Sequence, residues 1–124
     1  MRKLCETLRQ AMEQAGLRDG MTISFHHHLR NGDYVLNMVL DEAAKMGVKD
    51  LTVNASSVFD CYEPMLDHIR NGVVTGLETD YIAPGIGREL SKGILPKPII
   101  FRTHGSRPAD ILSGRSLIDI AFIA

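Results

Sequence analysis

The sequence predicts an α/β fold: an open, mainly parallel sheet with helices on both faces. Three observations carry this reading. Apolar runs of strand length alternate with segments of helical period along the chain. Proline stands in the first turn of three predicted helices, at Pro64, Pro84 and Pro108, and a glycine follows each of the five. No repeat, low-complexity tract or linker interrupts the alternation, so the 124 residues form one α/β domain or a fragment of one, spanning 1–124.

The first helix is expected over the stripe Leu4, Leu8, Ala11, Met12 and Ala15, with Gly16 as its stop. Met21 to Phe25 reads as a strand. The clearest periodic segment follows. Asp33 is placed to cap it, Val35, Leu36, Val39, Leu40 and Ala43 make one apolar stripe, and Gly47 suits a left-handed terminus. Asp41 and Lys45 lie one turn apart on its outer face, a pair worth a few tenths of a kcal/mol, roughly the usual helix value. Leu51 to Val53 (strand), Pro64 to Asn71 (helix) and Val73 to Leu77 (strand) come next. Pro84 to Lys92 (helix), Pro98 to Arg102 (strand) and Pro108 to Ser113 (helix) follow. The last strand, Leu117 to Ile123, is apolar enough to belong inside a sheet with both faces covered. It therefore suggests that the chain opens a larger protein, or pairs with another subunit or with a second copy as a homo-oligomer; an ordinary final strand of a complete small domain is the alternative.

The bulk numbers exclude several functions. A formal charge of -1 with mixed signs gives no basic stripe for nucleic acid, and no stretch approaches a membrane span. The amino terminus alternates charged and apolar residues rather than forming a signal-peptide core. Cys5 and Cys61 match no disulfide, zinc or redox spacing, and read as thiols of a reducing cytoplasm.

In an open parallel sheet, ligands bind at the carboxyl ends of the strands. The loops predicted there carry His26, His27, His28, Arg30, Asn31 and Asp33, then Asn54, Ser56 and Ser57. Thr79, Asp80 and Tyr81 follow in the third, and Thr103, His104, Gly105, Ser106 and Arg107 in the fourth. Donors predominate, and the helix amino termini add free amides, a combination suited to a multicarboxylate or polyanion. The histidine run is not read as a metal centre. Neighbours on extended chain point to opposite faces, so His26 and His28 converge without His27, and no paired ligand spacing completes a site. With an unperturbed pKa of about 6.5, these histidines serve as ligand donors, acid–base groups or structural supports. Ser56-Ser57 lacks the glycine-flanked elbow of a nucleophilic serine and reads as a hydrogen-bonding pair. Arg102 and Arg107 flank the Thr-His-Gly-Ser turn, where a carboxylate or phosphate contact and a surface salt bridge are equally open. Gly85-Ile86-Gly87 lacks the rest of a phosphate-loop fingerprint.

Several strings closely resemble the alpha subunit of citrate lyase. They are Gly20 to Val35 with its Ser-Phe-His-His-His-Leu-Arg core, Ala55-Ser56-Ser57, His68 to Thr75, Arg102 to Arg107, and Ile118 to Phe122. The resemblance covers nearly the whole chain. It implies a Rossmann-like fold related to family I CoA transferases, and a subunit that moves an acyl carrier protein thioester from acetate to citrate. It further implies citrate, acetyl carrier protein (the gamma subunit) and the beta lyase subunit as partners. The phosphoribosyl-dephospho-CoA prosthetic group sits on the carrier, with no cofactor bound directly. Members of the family continue well beyond this length, and related transferases carry their catalytic glutamate later, so no catalytic residue is assigned. The site residues expected are His26, His28, Arg30 and Asn31, then Ser56 and Ser57, then His104, Gly105 and Arg107. A non-catalytic α/β binding or assembly module, and a phosphate-binding enzyme on the same fold, are the competing readings.

Overall fold

The structure, a computed structural model, describes residues 3–26, 31 and 33–123. Five parallel strands, β1 (Thr22–His26), β2 (Leu51–Ala55), β3 (Val74–Thr79), β4 (Ile100–Phe101) and β5 (Ile120–Ile123), form one sheet in the order β4-β3-β2-β1-β5. Helices α1 (Leu8–Gln14), α2 (Val35–Lys45), α3 (Met65–Arg70), α4 (Pro84–Leu90) and α5 (Arg107–Ser113) separate the strands, with a single 3₁₀ turn at Asp60–Tyr62. None of the described helices is long and apolar enough to cross a membrane.

Local chemistry sets the element ends. Thr7 is extended at φ -133° and its hydroxyl accepts the Gln10 amide at 3.2 Å, while Gln10 Oε1 accepts the Glu6 amide at 2.9 Å. This reciprocal cap starts α1 at Leu8. The expected start at Leu4 is therefore wrong: Leu4 is exposed, as are Ala11 and Ala15, and Leu8 and Met12 alone of that stripe turn inward. Asp33 lies one residue outside the cap position of α2, yet its Oδ1 accepts the Val35 amide at 2.8 Å. Leu36, Val39, Leu40 and Ala43 are fully buried, as their spacing predicts. At the other end Gly47 takes φ 77°, and the Val48 amide returns to Ala43 O at 3.0 Å, a closure that needs a left-handed residue. Asp41 meets His68 Nε2 of α3 at 2.8 Å rather than the expected Lys45.

Register divides the sheet into two unlike faces. Ile23, Val53, Leu77 and Ile120 align on one face and join Met12, Leu36, Val39, Leu40, Met65 and Ile69 in the core. Burying each such side chain stabilises by about 1.5–3 kcal/mol. On the other face Ser24, Asn54 and Glu78 align. α2 packs on α1 and α3, and α3 on α4, over the apolar face. The return from β4 to β5 runs the opposite way, so a right-handed crossover places α5 on the polar face. Two hydrogen bonds from Arg107, the first residue of α5, to Asn54 and Ser24 agree with that placement.

Among the described residues the final strand occupies a sheet edge, while its expected cover was to come from the rest of a larger protein, another subunit or a second copy. Among the described strands it pairs with β1 alone, and Leu117 and Ile123 are exposed. Its inner side is well fixed: Phe122 stacks on Phe25 with ring centres 5.4 Å apart, and Asp119 Oδ2 accepts the Thr22 amide at 2.7 Å.

Candidate functional site

The polar face of the sheet continues upward into the loops at its carboxyl edge, and there two arginines are held differently. Arg102, just past β4, pairs through Nε with Glu78 Oε1 and lies 3.5 Å from Asp110 Oδ2, while Nη2 donates to Arg115 O at 2.7 Å. Its hydrogen bond to Glu78 raises its pKa, against a smaller opposing effect of burial. Asp110 of α5 accepts from Arg115 Nε and from Ser106 Oγ, each at 2.8 Å, and these partners lower its pKa below the usual carboxylate value. Arg102 is thus held in an ion-pair network with Glu78 and Asp110.

Arg107 is in the opposite situation. Its Nη1 donates to Asn54 Oδ1 and its Nη2 to Ser24 Oγ at 2.9 Å, both uncharged acceptors. Asn54 is itself oriented by its Nδ2–H bond to Ser116 Oγ at 2.8 Å. Burial lowers the pKa of the guanidinium, and the more distant charges of Asp80 and Glu78 act against that. Among the described residues no carboxylate stands within ion-pair distance of Arg107. A desolvated cation with spare donors and only neutral partners is a place for an anion. Around it Ser56, Glu78, Thr79, Asp80, Arg102, Thr103 and Ser116 enclose a cavity of about 10 Å³, room for one water-sized group.

Asp80 draws two of the expected residues together. Ser57 Oγ donates to Asp80 Oδ1 at 3.0 Å, and His104 Nδ1 lies 2.9 Å from Oδ2. Ser57 addresses the carboxylate and not the imidazole, so the serine–histidine hydrogen bond of a Ser-His-Asp relay is not made. This is not the geometry of a serine nucleophile. Ser56 is buried directly after β2, where its carbonyl accepts the Asp80 amide at 3.2 Å. Gly105 is exposed in the turn that leads into α5.

The remaining expected residues lie around the first loop. His26 ends β1 and is exposed, in register with Ile123. Asn31 is exposed, and its carbonyl accepts the Cys61 thiol at 3.0 Å. Burial raises the pKa of that thiol. Asn31, Phe59, Asp60, Cys61, Tyr81 and Ala83 line an open groove of about 700 Å³. His28 and Arg30, with His27, lie outside the described residues.

Sequence reasoning missed Ser24, Glu78 and the central part of Asp80. The signal was present as a period of two: Ser24 and His26 on β1, Thr52, Asn54 and Ser56 along β2, Gly76, Glu78 and Asp80 along β3. Such alternation marks one polar face, where the apolar reading of the strands expected two buried ones.

Comparison with known proteins agrees with this architecture. The family model "Citrate lyase, alpha subunit (CitF)" matches residues 1–124. The citrate lyase alpha chain of Escherichia coli (strain K12) is 47% identical over 122 residues, and that of Haemophilus influenzae 43%. Each match covers 98% of this chain and 24% of the relative, so the chain spans about a quarter of their length. A solved structure described as the alpha subunit of citrate lyase from Streptococcus mutans, in complex with citrate, superposes with a TM-score of 0.94 at 48% identity. The superposition covers 99% of this chain and 24% of that one. With the family model matching the whole chain, and a solved citrate lyase alpha subunit superposing on its open parallel sheet, this chain belongs to the citrate lyase alpha subunit family.

Proposed function

We propose that this chain supplies part of the citrate site of a citrate:acetyl carrier protein transferase, as a portion of a longer alpha subunit. The observation that carries the reading is Arg107, half-buried on the polar face with only uncharged hydrogen-bond partners among the described residues. Citrate brings three carboxylates, and one of them supplies the missing counter-charge. The citrate complex of the Streptococcus mutans relative supports the choice of anion.

In the full reaction a citrate carboxylate attacks the acetyl carbonyl of the carrier thioester. The carbon–sulfur bond breaks, the carrier leaves as thiolate, and a mixed anhydride is formed. The thiolate then attacks the citryl carbonyl and acetate departs. This chain's share is to hold the attacking carboxylate in position and to balance its charge at Arg107. The phosphoribosyl-dephospho-CoA arm of the gamma-subunit carrier delivers the thioester. The groove of about 700 Å³ beside Asn31, walled by Phe59 and Tyr81, has room for such an arm. The beta subunit would cleave the citryl product, in the cytoplasm.

Calorimetric titration with citrate, run on this chain and on the full-length Escherichia coli relative at the same pH and salt, tests the reading. Saturable binding to this chain that is lost in Arg107→Ala is the expected result. Binding to the full-length relative alone would overturn it, and displacement of citrate by inorganic phosphate at equal concentration would favour a phosphate-binding enzyme instead.

A further inference from the structure

The loops after β2, β3 and β4 converge on one carboxylate, and its two oxygens do different things. Asp80 is only 14% exposed in its side chain. Its backbone is fixed by the hydrogen bond that its amide donates to Ser56 O at 3.2 Å, and the preceding Thr79 carbonyl accepts the Arg102 amide at 3.0 Å. On the far side the Thr79 hydroxyl donates to Tyr81 O at 3.2 Å. With its main chain held on both sides, the carboxylate has little freedom to turn. Ser57 Oγ occupies Oδ1 and leaves Oδ2 for His104.

An ionised carboxylate only accepts hydrogen bonds, so His104 must present a proton from Nδ1. In the neutral imidazole the lone pair then lies on Nε2, across the ring from Asp80. The His104 side chain is 74% exposed, which leaves that nitrogen open at the carboxyl edge. We propose that Asp80 is a positioning residue that fixes the tautomer and direction of His104, so that Nε2 meets a hydroxyl-bearing polycarboxylate. Nε2 accepts from the ligand hydroxyl when the ring is neutral and donates to a ligand carboxylate when it is protonated. The ligand class rests on the citrate reading above. The positioning does not, because it follows from the Ser57–Asp80–His104 geometry alone. The same logic makes the outer partners of metal-bound and catalytic histidines decisive for which nitrogen works.

Nitrogen NMR of the ¹⁵N-labelled imidazoles, recorded in this chain at alkaline pH, reads the tautomer directly. The wild-type chain should carry the proton on Nδ1. Asp80→Asn, which keeps the side-chain shape, should move it to Nε2 and weaken citrate binding at least tenfold, and Asp80→Glu should restore the tautomer with part of the affinity. A purely structural role for Asp80 would change stability without moving the proton. An Nε2–H tautomer in the wild-type chain overturns the proposal even if Asp80→Asn does not fold. A switched tautomer with unchanged citrate affinity overturns the part of it that has Nε2 face the ligand. If the wild-type chain binds no citrate, the citrate reading fails, and an Nδ1–H proton that moves in Asp80→Asn still upholds the positioning by Asp80.

Discussion

Arg107 and Ser24 are joined by a hydrogen bond of 2.9 Å across 83 residues of sequence. It ties the first turn of α5 to the middle of β1. A hydrogen bond to a charged donor contributes about 1.5–3 kcal/mol, more than a neutral one. Ser24→Ala should therefore lower the urea midpoint by an amount equivalent to about 2 kcal/mol, with an unchanged slope. An unchanged midpoint would show that the guanidinium is held by Asn54 alone.

Glu78 is nearly buried, and Arg102 is its counter-ion. Removing one partner of such a pair leaves a buried charge and costs about 3–5 kcal/mol, whereas replacing both is often close to neutral. Arg102→Met should be strongly destabilising, and Arg102→Met with Glu78→Leu should recover most of the loss. Denaturant unfolding of the two single variants and the double variant closes the cycle. A double variant as unstable as the sum of the singles would argue against pairing.

Gly76 gives a purely steric prediction. A Cβ built there would stand 2.6 Å from Thr52 Oγ1 and 3.3 Å from Thr52 Cγ2, on the neighbouring strand. Threonine is branched at Cβ and turns poorly out of the way. Gly76→Ala should destabilise by about 1–3 kcal/mol, the usual cost of overpacking, and adding Thr52→Ala should relieve most of it. Thermal unfolding of both variants checks this.

Tyr62 is fully buried, and burial pushes its phenol from 10.0 up to about 12; a backbone hydrogen bond at Asp33 acts against this, and the charges of Asp33 and Cys61 add smaller upward effects. The folded state thus holds the proton more tightly than the unfolded chain. Its contribution to stability is complete below pH 10.0 and is lost as pH rises through about 12. Tyrosinate absorbance followed together with circular dichroism should show the Tyr62 component emerging near pH 12. Tyr62→Phe should abolish that component. Ionisation of Tyr62 well below this range would mean that the ring is reached by water.

The local content of the fold was legible in the sequence. The α2 stripe, the prolines that open α4 and α5 and the glycines that close the helices all act within a few residues of themselves. Thr7 with Gln10 was legible too, as a Thr-x-x-Gln capping pattern that the apolar spacing of Leu4 overrode. The partnerships were not legible, because they join positions that only the strand order brings together. Asp41 to His68, Arg102 to Glu78 and Arg107 to Ser24 span 27, 24 and 83 residues. Asp80 stood in view as one polar residue of a loop. That it gathers Ser57 and His104 depends on β3 lying between β2 and β4.

The edge position of β5 bears on the order in which the chain assembles. β1, β2 and β3 follow one another through single helices, so their pairings close short loops. The contact of Asp119 with Thr22 closes one of 97 residues. Loop-closure entropy grows with the length closed, and non-local pairings are the slow ones. The apolar layer therefore condenses first around β1, β2 and β3, and α5 and β5 dock onto a sheet that already exists. Arg107, proposed above to meet the anion, is carried on the later-docking segment, so its hydrogen bonds to Asn54 and Ser24 form on strands that are already paired. A destabilised variant should lose the Arg107 contacts before it loses that core.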